Sequence, residues 1–191
     1  MLHFSSEATI TPSTTGRFTI TRWIIYIAKY DIASTNFTKV RIPKAAYTRD
    51  DYIFSIRYNY MKVAVDENGI WVLYGFNKTD DDNIVVAKLD LLPDPPYMEV
   101  VRVWKNITLN KRNMGNAFII CGVLYTIQDV SNEDTVVNYS FDLYQNEVRK
   151  TAIRFHNPYQ MNNMVAYNPV DRQLYSWDKG NQLTYKLKFV T

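Results

Sequence analysis

Residues Met61–Phe76 read MKVAVDENGIWVLYGF. The stretch divides into an apolar strand (Met61–Asp66), a tight turn at Asn68-Gly69 that can supply the positive φ a hairpin needs, and a second strand of Leu-Tyr type. The same unit returns twice. NAFIIC (Asn116–Cys121) runs into GVLYTIQ (Gly122–Gln128), and NMVAYN (Asn163–Asn168) runs into VDRQLYSWD (Val170–Asp178). Each is followed by a strand with an aspartate exit, IVVAKLDL (Ile84–Leu91) and VVNYSFDL (Val136–Leu143), or by its degenerate form QLTYKLKF (Gln182–Phe189). IIYIAKYDI (Ile24–Ile32) carries the same exit without the hairpin before it. Outer strands follow in FTKVRIP (Phe37–Pro43), YMEVVRVW (Tyr97–Trp104) and EVRKTAIRF (Glu147–Phe155). Four strands per unit, repeating at about 50 residues, are the signature of a propeller blade.

Composition agrees. With 47% hydrophobic and 21% charged residues the chain is globular, and its 15% aromatics favour strands. The net charge of +3 is scattered, so neither nucleic acid nor an anionic membrane surface is an expected partner. No apolar stretch is long enough for a membrane-spanning helix, and the N-terminus does not read as a signal peptide. Residues 1–18 are polar and predict a disordered tail. Residues 19–191 predict a partial propeller of about three and a half four-stranded antiparallel blades, with MKVAVD, NAFIIC and NMVAYN innermost.

Catalytic patterns are missing from the sequence. His3 lies in the polar segment and His156 follows an outer strand, with no Ser-His-Asp spacing. Cys121, the only cysteine, closes an apolar run that predicts a buried, inert thiol. Asp80-Asp81-Asp82 reads as a solvated loop tip. Asn36, Asn77, Asn106 and Asn138 each begin an N-glycosylation sequon. Tyr47, Tyr52, Tyr58, Tyr60, Tyr97 and Tyr159 are candidate surface anchors.

The phrases VAVDENGIWVLY (Val63–Tyr74), GNAFIICGVLYTI (Gly115–Ile127), IPKAAY (Ile42–Tyr47) and NMVAYNPVDRQLYSWDKGNQLTYKLKF (Asn163–Phe189) resemble the olfactomedin domain, from about Trp23 to Phe189. That resemblance implies an all-β, five-bladed propeller whose N-terminal portion is absent here. It implies a secreted or extracellular, non-enzymatic module that contacts other proteins and oligomerises through regions outside this chain. Two other readings stand beside it: a lactonase-like propeller hydrolase, and a non-functional gene fragment.

The resemblance also implies that Cys121 would pair with a cysteine nearer the N-terminus, and that Ca²⁺ would sit in the central channel. The positions corresponding to the family's metal ligands are Lys62, Asn116, Ala117, Val165 and Ala166. Both anionic ligands are replaced, one by a lysine, so no metal or other cofactor is expected. Lys62 is expected to donate to Asn116 Oδ1 and to the carbonyls of Ala117 and Val165, and to pair with Asp66, four residues along the same strand.

Overall fold

The chain is seen in a computed structural model that describes residues 2–12, 18–45, 52–56, 59–76 and 82–189, the side chains of 2–12 and 18–23 excepted. Its described strands form four antiparallel sheets. The first contains β1 (Leu2–Pro12), β2 (Phe18–Tyr30) and β3 (Phe37–Arg41), in that order. The second runs β4 (Met61–Asp66), β5 (Gly69–Gly75), β6 (Ile84–Leu91), β7 (Met98–Trp104). The third runs β8 (Asn116–Ile120), β9 (Val123–Ile127), β10 (Asp134–Asp142), β11 (Glu147–His156). The fourth holds β12 (Asn162–Asn168), β13 (Gln173–Asp178) and β14 (Asn181–Lys186). Helix among the described residues is limited to a 3-10 turn at Lys111–Asn113. The arrangement is an incomplete β-propeller, with two four-stranded and two three-stranded sheets.

Side-chain alternation explains why the sheets stack. In β5, Trp71 and Leu73 face the third sheet and join Ala117, Ile119, Leu124 and Phe141. Val72 and Tyr74 point the other way and join Ile25, Ile27, Val85 and Ala87. A strand buried on both faces must be apolar at every position, which is why GIWVLYG shows no polar alternation. In β8, likewise, Phe118 and Ile120 leave the second sheet's core and pack with Val165, Tyr167 and Leu174 of the fourth. Each fully buried Leu or Ile contributes roughly 1.5–3 kcal/mol.

The strands β4, β8 and β12 are each an edge of their own sheet, and they lie against one another at the centre of the stack. The polar residues at strand exits organise the turns. Asp142 Oδ1 accepts the amides of Tyr144 and Gln145 between β10 and β11, Asp31 Oδ1 accepts the amide of Ser34, and Asn168 Oδ1 accepts that of Val170. An Asx side chain that captures an amide two or three residues on mimics a turn, so Asp31 and Asp142 mark where their strands reverse.

The N-terminal segment departs from its sequence expectation. Leu2–Pro12 is a strand, paired with β2 from Leu2↔Lys29 to Pro12↔Phe18 with one irregularity at Thr9/Ile10. Ladder hydrogen bonds are made by backbone groups, so a polar segment can fill them. The β-branched and aromatic run of β2 would otherwise present an unpaired edge.

Candidate functional site

The centre of the stack is built around Lys62. Register places Lys62 opposite Leu73 in the β4–β5 pair, Asn116 at the start of β8, and Val165 opposite Ser176 in β12–β13. Lys62 Nζ donates to Asn116 Oδ1 at 2.6 Å and to the Val165 carbonyl at 2.5 Å. It also lies 5.7 Å from the centre of the Phe54 ring, within cation–π range. Asn116 Oδ1 takes a second hydrogen bond from the Ala117 amide, at 2.9 Å. Asn116, Ala117 and Val165 are buried, Lys62 and Ala166 half-buried. Burial draws the Lys62 pKa down from 10.5 to about 7, because desolvation disfavours its charged form.

Two details differ from the sequence expectation. Ala117 enters through its N–H, bonded to Asn116, and not as an acceptor for Lys62. Asp66 does not pair with Lys62. Alternation puts the two on one face, but four residues of strand separate them by about 13 Å, beyond ion-pair reach. Asp66 sits at the turn, where Oδ1 accepts Asn68 N at 2.8 Å and Trp71 Nε1 at 2.7 Å, and Oδ2 accepts Gly122 N at 2.6 Å.

The hairpin turns at this end converge. Glu67 Oε2 accepts the Cys121 amide at 3.2 Å and lies 3.4 Å from its Sγ, while Glu67 Oε1 accepts the Tyr167 hydroxyl. Cys121 is exposed, contrary to the buried position its apolar run predicts. The strand ends at Ile120. Cys121 (φ 51) and Gly122 (φ 78) then form the two-residue turn, in the left-handed conformation that a tight hairpin requires. Partial burial, the hydrogen bond with Glu67 and the neighbouring carboxylates raise its thiol pKa. Among the described residues it has no disulfide partner.

The remaining candidates are dispersed. His156 is exposed on the outer strand β11, its Nδ1 3.7 Å from Asp134, which is paired with Arg154 at 2.7 Å. The side chain of His3 lies outside the described residues, as do Asp80, Asp81, Tyr47, Tyr58 and the sequon residue Asn77. Asp82 is paired with Arg112 at 2.7 Å. Asn36 and Asn106 are exposed in loops. Asn138 is half-buried on β10, its Oδ1 accepting from Thr126 Oγ1 at 2.6 Å, on the wall of a polar groove of about 640 Å³. Tyr52 and Tyr60 pack ring to ring at 5.1 Å, and Tyr97 and Tyr159 are exposed. Among the described residues no three His, Cys, Asp or Glu side chains converge as a metal site would require. Sequence reasoning missed Phe54, which has no repeat partner, and the Glu67–Tyr167 link, which joins residues 100 apart.

Stacked antiparallel sheets, with three inner strands meeting at a common centre, define this chain as a β-propeller protein. The sequence model of the olfactomedin-like domain matches residues 23–191, and the chain belongs to that family. It is 37% identical over 148 residues to myocilin of Oryctolagus cuniculus, covering 77% of this chain and 29% of that protein. It is 33% identical over 163 residues to myocilin of Canis lupus familiaris, covering 85% of this chain and 32% of that protein. With myocilin of Homo sapiens it shares 35% over 131 residues, 69% of this chain and 25% of that one. The chain therefore spans about a third or less of the length of these relatives.

Proposed function

We propose that this chain is a non-enzymatic extracellular module that binds other proteins, in adhesion, matrix or receptor–ligand recognition. The observation that carries this reading is the olfactomedin-like match across residues 23–191. The fold is compatible with it. Sheets β4–β7 and β8–β11 are covered by neighbours, which leaves turns and outer strands for a partner. Tyr97, Tyr144 and Tyr159 stand exposed on the turns after β6, β10 and β11. Tyrosine is enriched at binding hot spots because it offers a large rigid surface with a polar tip. A hydrolase of propeller type would need His or carboxylate groups at the centre; among the described residues the polar side chains bonded to one another there are Lys62 and Asn116, and His156 lies on an outermost strand.

The test is binding of the purified chain to intact cells. Saturable binding that is lost when the cells are first treated with trypsin supports a protein partner. Binding that never saturates, or that survives trypsin, counts against it, as would turnover of lactone or ester substrates by the purified chain.

A further inference from the structure

Strands β4, β8 and β12 belong to three different sheets, so no ladder hydrogen bonds join them. Lys62, on the first, bonds to both of the others. The family implies a resident calcium ion at these positions, and the donor set does not fit one. Ca²⁺ takes six to eight oxygens, with carboxylates supplying the compensating charge. Of the oxygens here, Asn116 Oδ1 already accepts from Lys62 Nζ and the Ala117 amide, and the Val165 carbonyl accepts from Lys62 Nζ. Position 166 carries a methyl group. The nearest carboxylate along β4, that of Asp66, holds Asn68, Trp71 and Gly122.

We infer that the Lys62 amino group fills this central site as a covalently attached donor, joining β4, β8 and β12, and that the chain takes no calcium there. An ion near enough to bind Asn116 Oδ1 and the Val165 carbonyl would have to stand where Nζ stands. A lysine ammonium has three donors and no acceptor, so it satisfies such oxygens while repelling a second cation. Two of its donor directions go to Asn116 and Val165, and the Phe54 ring lies beside it. The neutral amine keeps two N–H groups, so both oxygens stay bonded in either protonation state. The side chain is tethered, and the link cannot be removed by chelation. The inference stands apart from the choice of binding partner, since it concerns only the centre of the fold.

Thermal unfolding of the full chain in millimolar calcium and in excess chelator tests it. A site loaded at a hundredfold its Kd would raise Tm by several degrees; here the two curves are expected to coincide. In Lys62→Asp combined with Ala166→Asp, two carboxylates return and the donor leaves, so calcium is expected to raise Tm. A calcium-dependent rise in the unaltered chain overturns the inference, as does a folded double variant indifferent to calcium. If the double variant does not fold, two measurements on the unaltered chain decide. Calorimetric titration with calcium is expected to give no saturable heat, and native mass spectrometry is expected to find no calcium retained by the folded chain. Saturable calcium binding in either measurement overturns it.

Discussion

Asp66, at the end of one inner strand, accepts the backbone amide of Gly122 in the next sheet, with Oδ2 2.6 Å from the nitrogen. The contact crosses 56 residues of sequence and is buried. The same carboxylate holds the Trp71 indole and the Asn68 amide. One side chain thus closes its own hairpin and locks it to the neighbouring one.

Removing that carboxylate leaves buried donors without acceptors. Hydrogen bonds to a charged group are worth about 1.5–3 kcal/mol each, and an orphaned buried donor keeps its desolvation penalty. Asp66→Ala is therefore expected to cost about 3–5 kcal/mol. Asp66→Asn retains one acceptor oxygen and should cost less. Chemical denaturation of both variants measures the difference; an Asp66→Ala midpoint within error of the unaltered chain would show that the bridge contributes nothing.

Gly122 carries the neighbouring constraint. A Cβ there would stand 2.3 Å from the Tyr144 ring, on a backbone with φ +78°. Left-handed strain costs about 1–3 kcal/mol, and relieving the clash requires Tyr144 to leave its contacts with Trp71 and Trp104. Gly122→Ala is expected to destabilise by about 2–4 kcal/mol. Tyr144→Ala is expected to cost less when introduced into Gly122→Ala than into the unaltered chain, because there the loss of the ring also relieves the clash. Additive losses in the double-mutant cycle would rule out the steric coupling.

The sequons divide by accessibility. Asn36 and Asn106 are exposed in loops, whereas Asn138 is half-buried on a strand paired on both sides and bonded to Thr126. If the chain passes through a secretory pathway, glycans are expected on Asn36 and Asn106 and not on Asn138. Glycopeptide mass spectrometry of the secreted product reads this directly, and a glycan at Asn138 in folded material contradicts the assignment.

The blades were legible because each carries a local record: an apolar strand, a turn and an aspartate exit, repeated in order. The three inner strands could be placed from that repeat; the meeting of Lys62, Asn116 and Val165 followed only from the resemblance to the olfactomedin domain, whose metal positions they occupy. Asp66 escaped because alternation gives the face of a side chain but says nothing of its position along the strand, and a turn aspartate is claimed by turn amides first. Cys121 escaped for a related reason. Hydrophobicity ran unbroken through NAFIIC, while the residue that had to take positive φ was set by hairpin geometry. The strand Leu2–Pro12 left little trace because backbone pairing needs no apolar side chains.

Cys121 offers a test of the converging turns that does not depend on stability. Exposure alone would make this thiol quick to react, but the reactive species is the thiolate. Partial burial, the hydrogen bond with Glu67 and the charges of Glu67 and Asp66 raise its pKa, against a smaller opposing effect of Arg172. At neutral pH the folded chain is therefore expected to react with a disulfide reagent more slowly than the same chain unfolded. The rate should climb as pH rises through the elevated pKa, with its midpoint above that of the unfolded chain. Glu67→Gln removes a negative charge beside the sulfur, so it should lower the thiol pKa and speed the reaction near neutrality. Arg172→Gln removes the opposing positive charge and should slow it. Each variant also reports on the geometry through Tyr167, whose hydroxyl pKa is raised by burial and by its hydrogen bond to Glu67. Stopped-flow measurement against pH for the three chains decides the matter. A folded-state profile coinciding with the unfolded one, or Glu67→Gln leaving the profile unmoved, would show that the thiol does not sense Glu67 and that the turns of β4–β5 and β8–β9 do not meet as described.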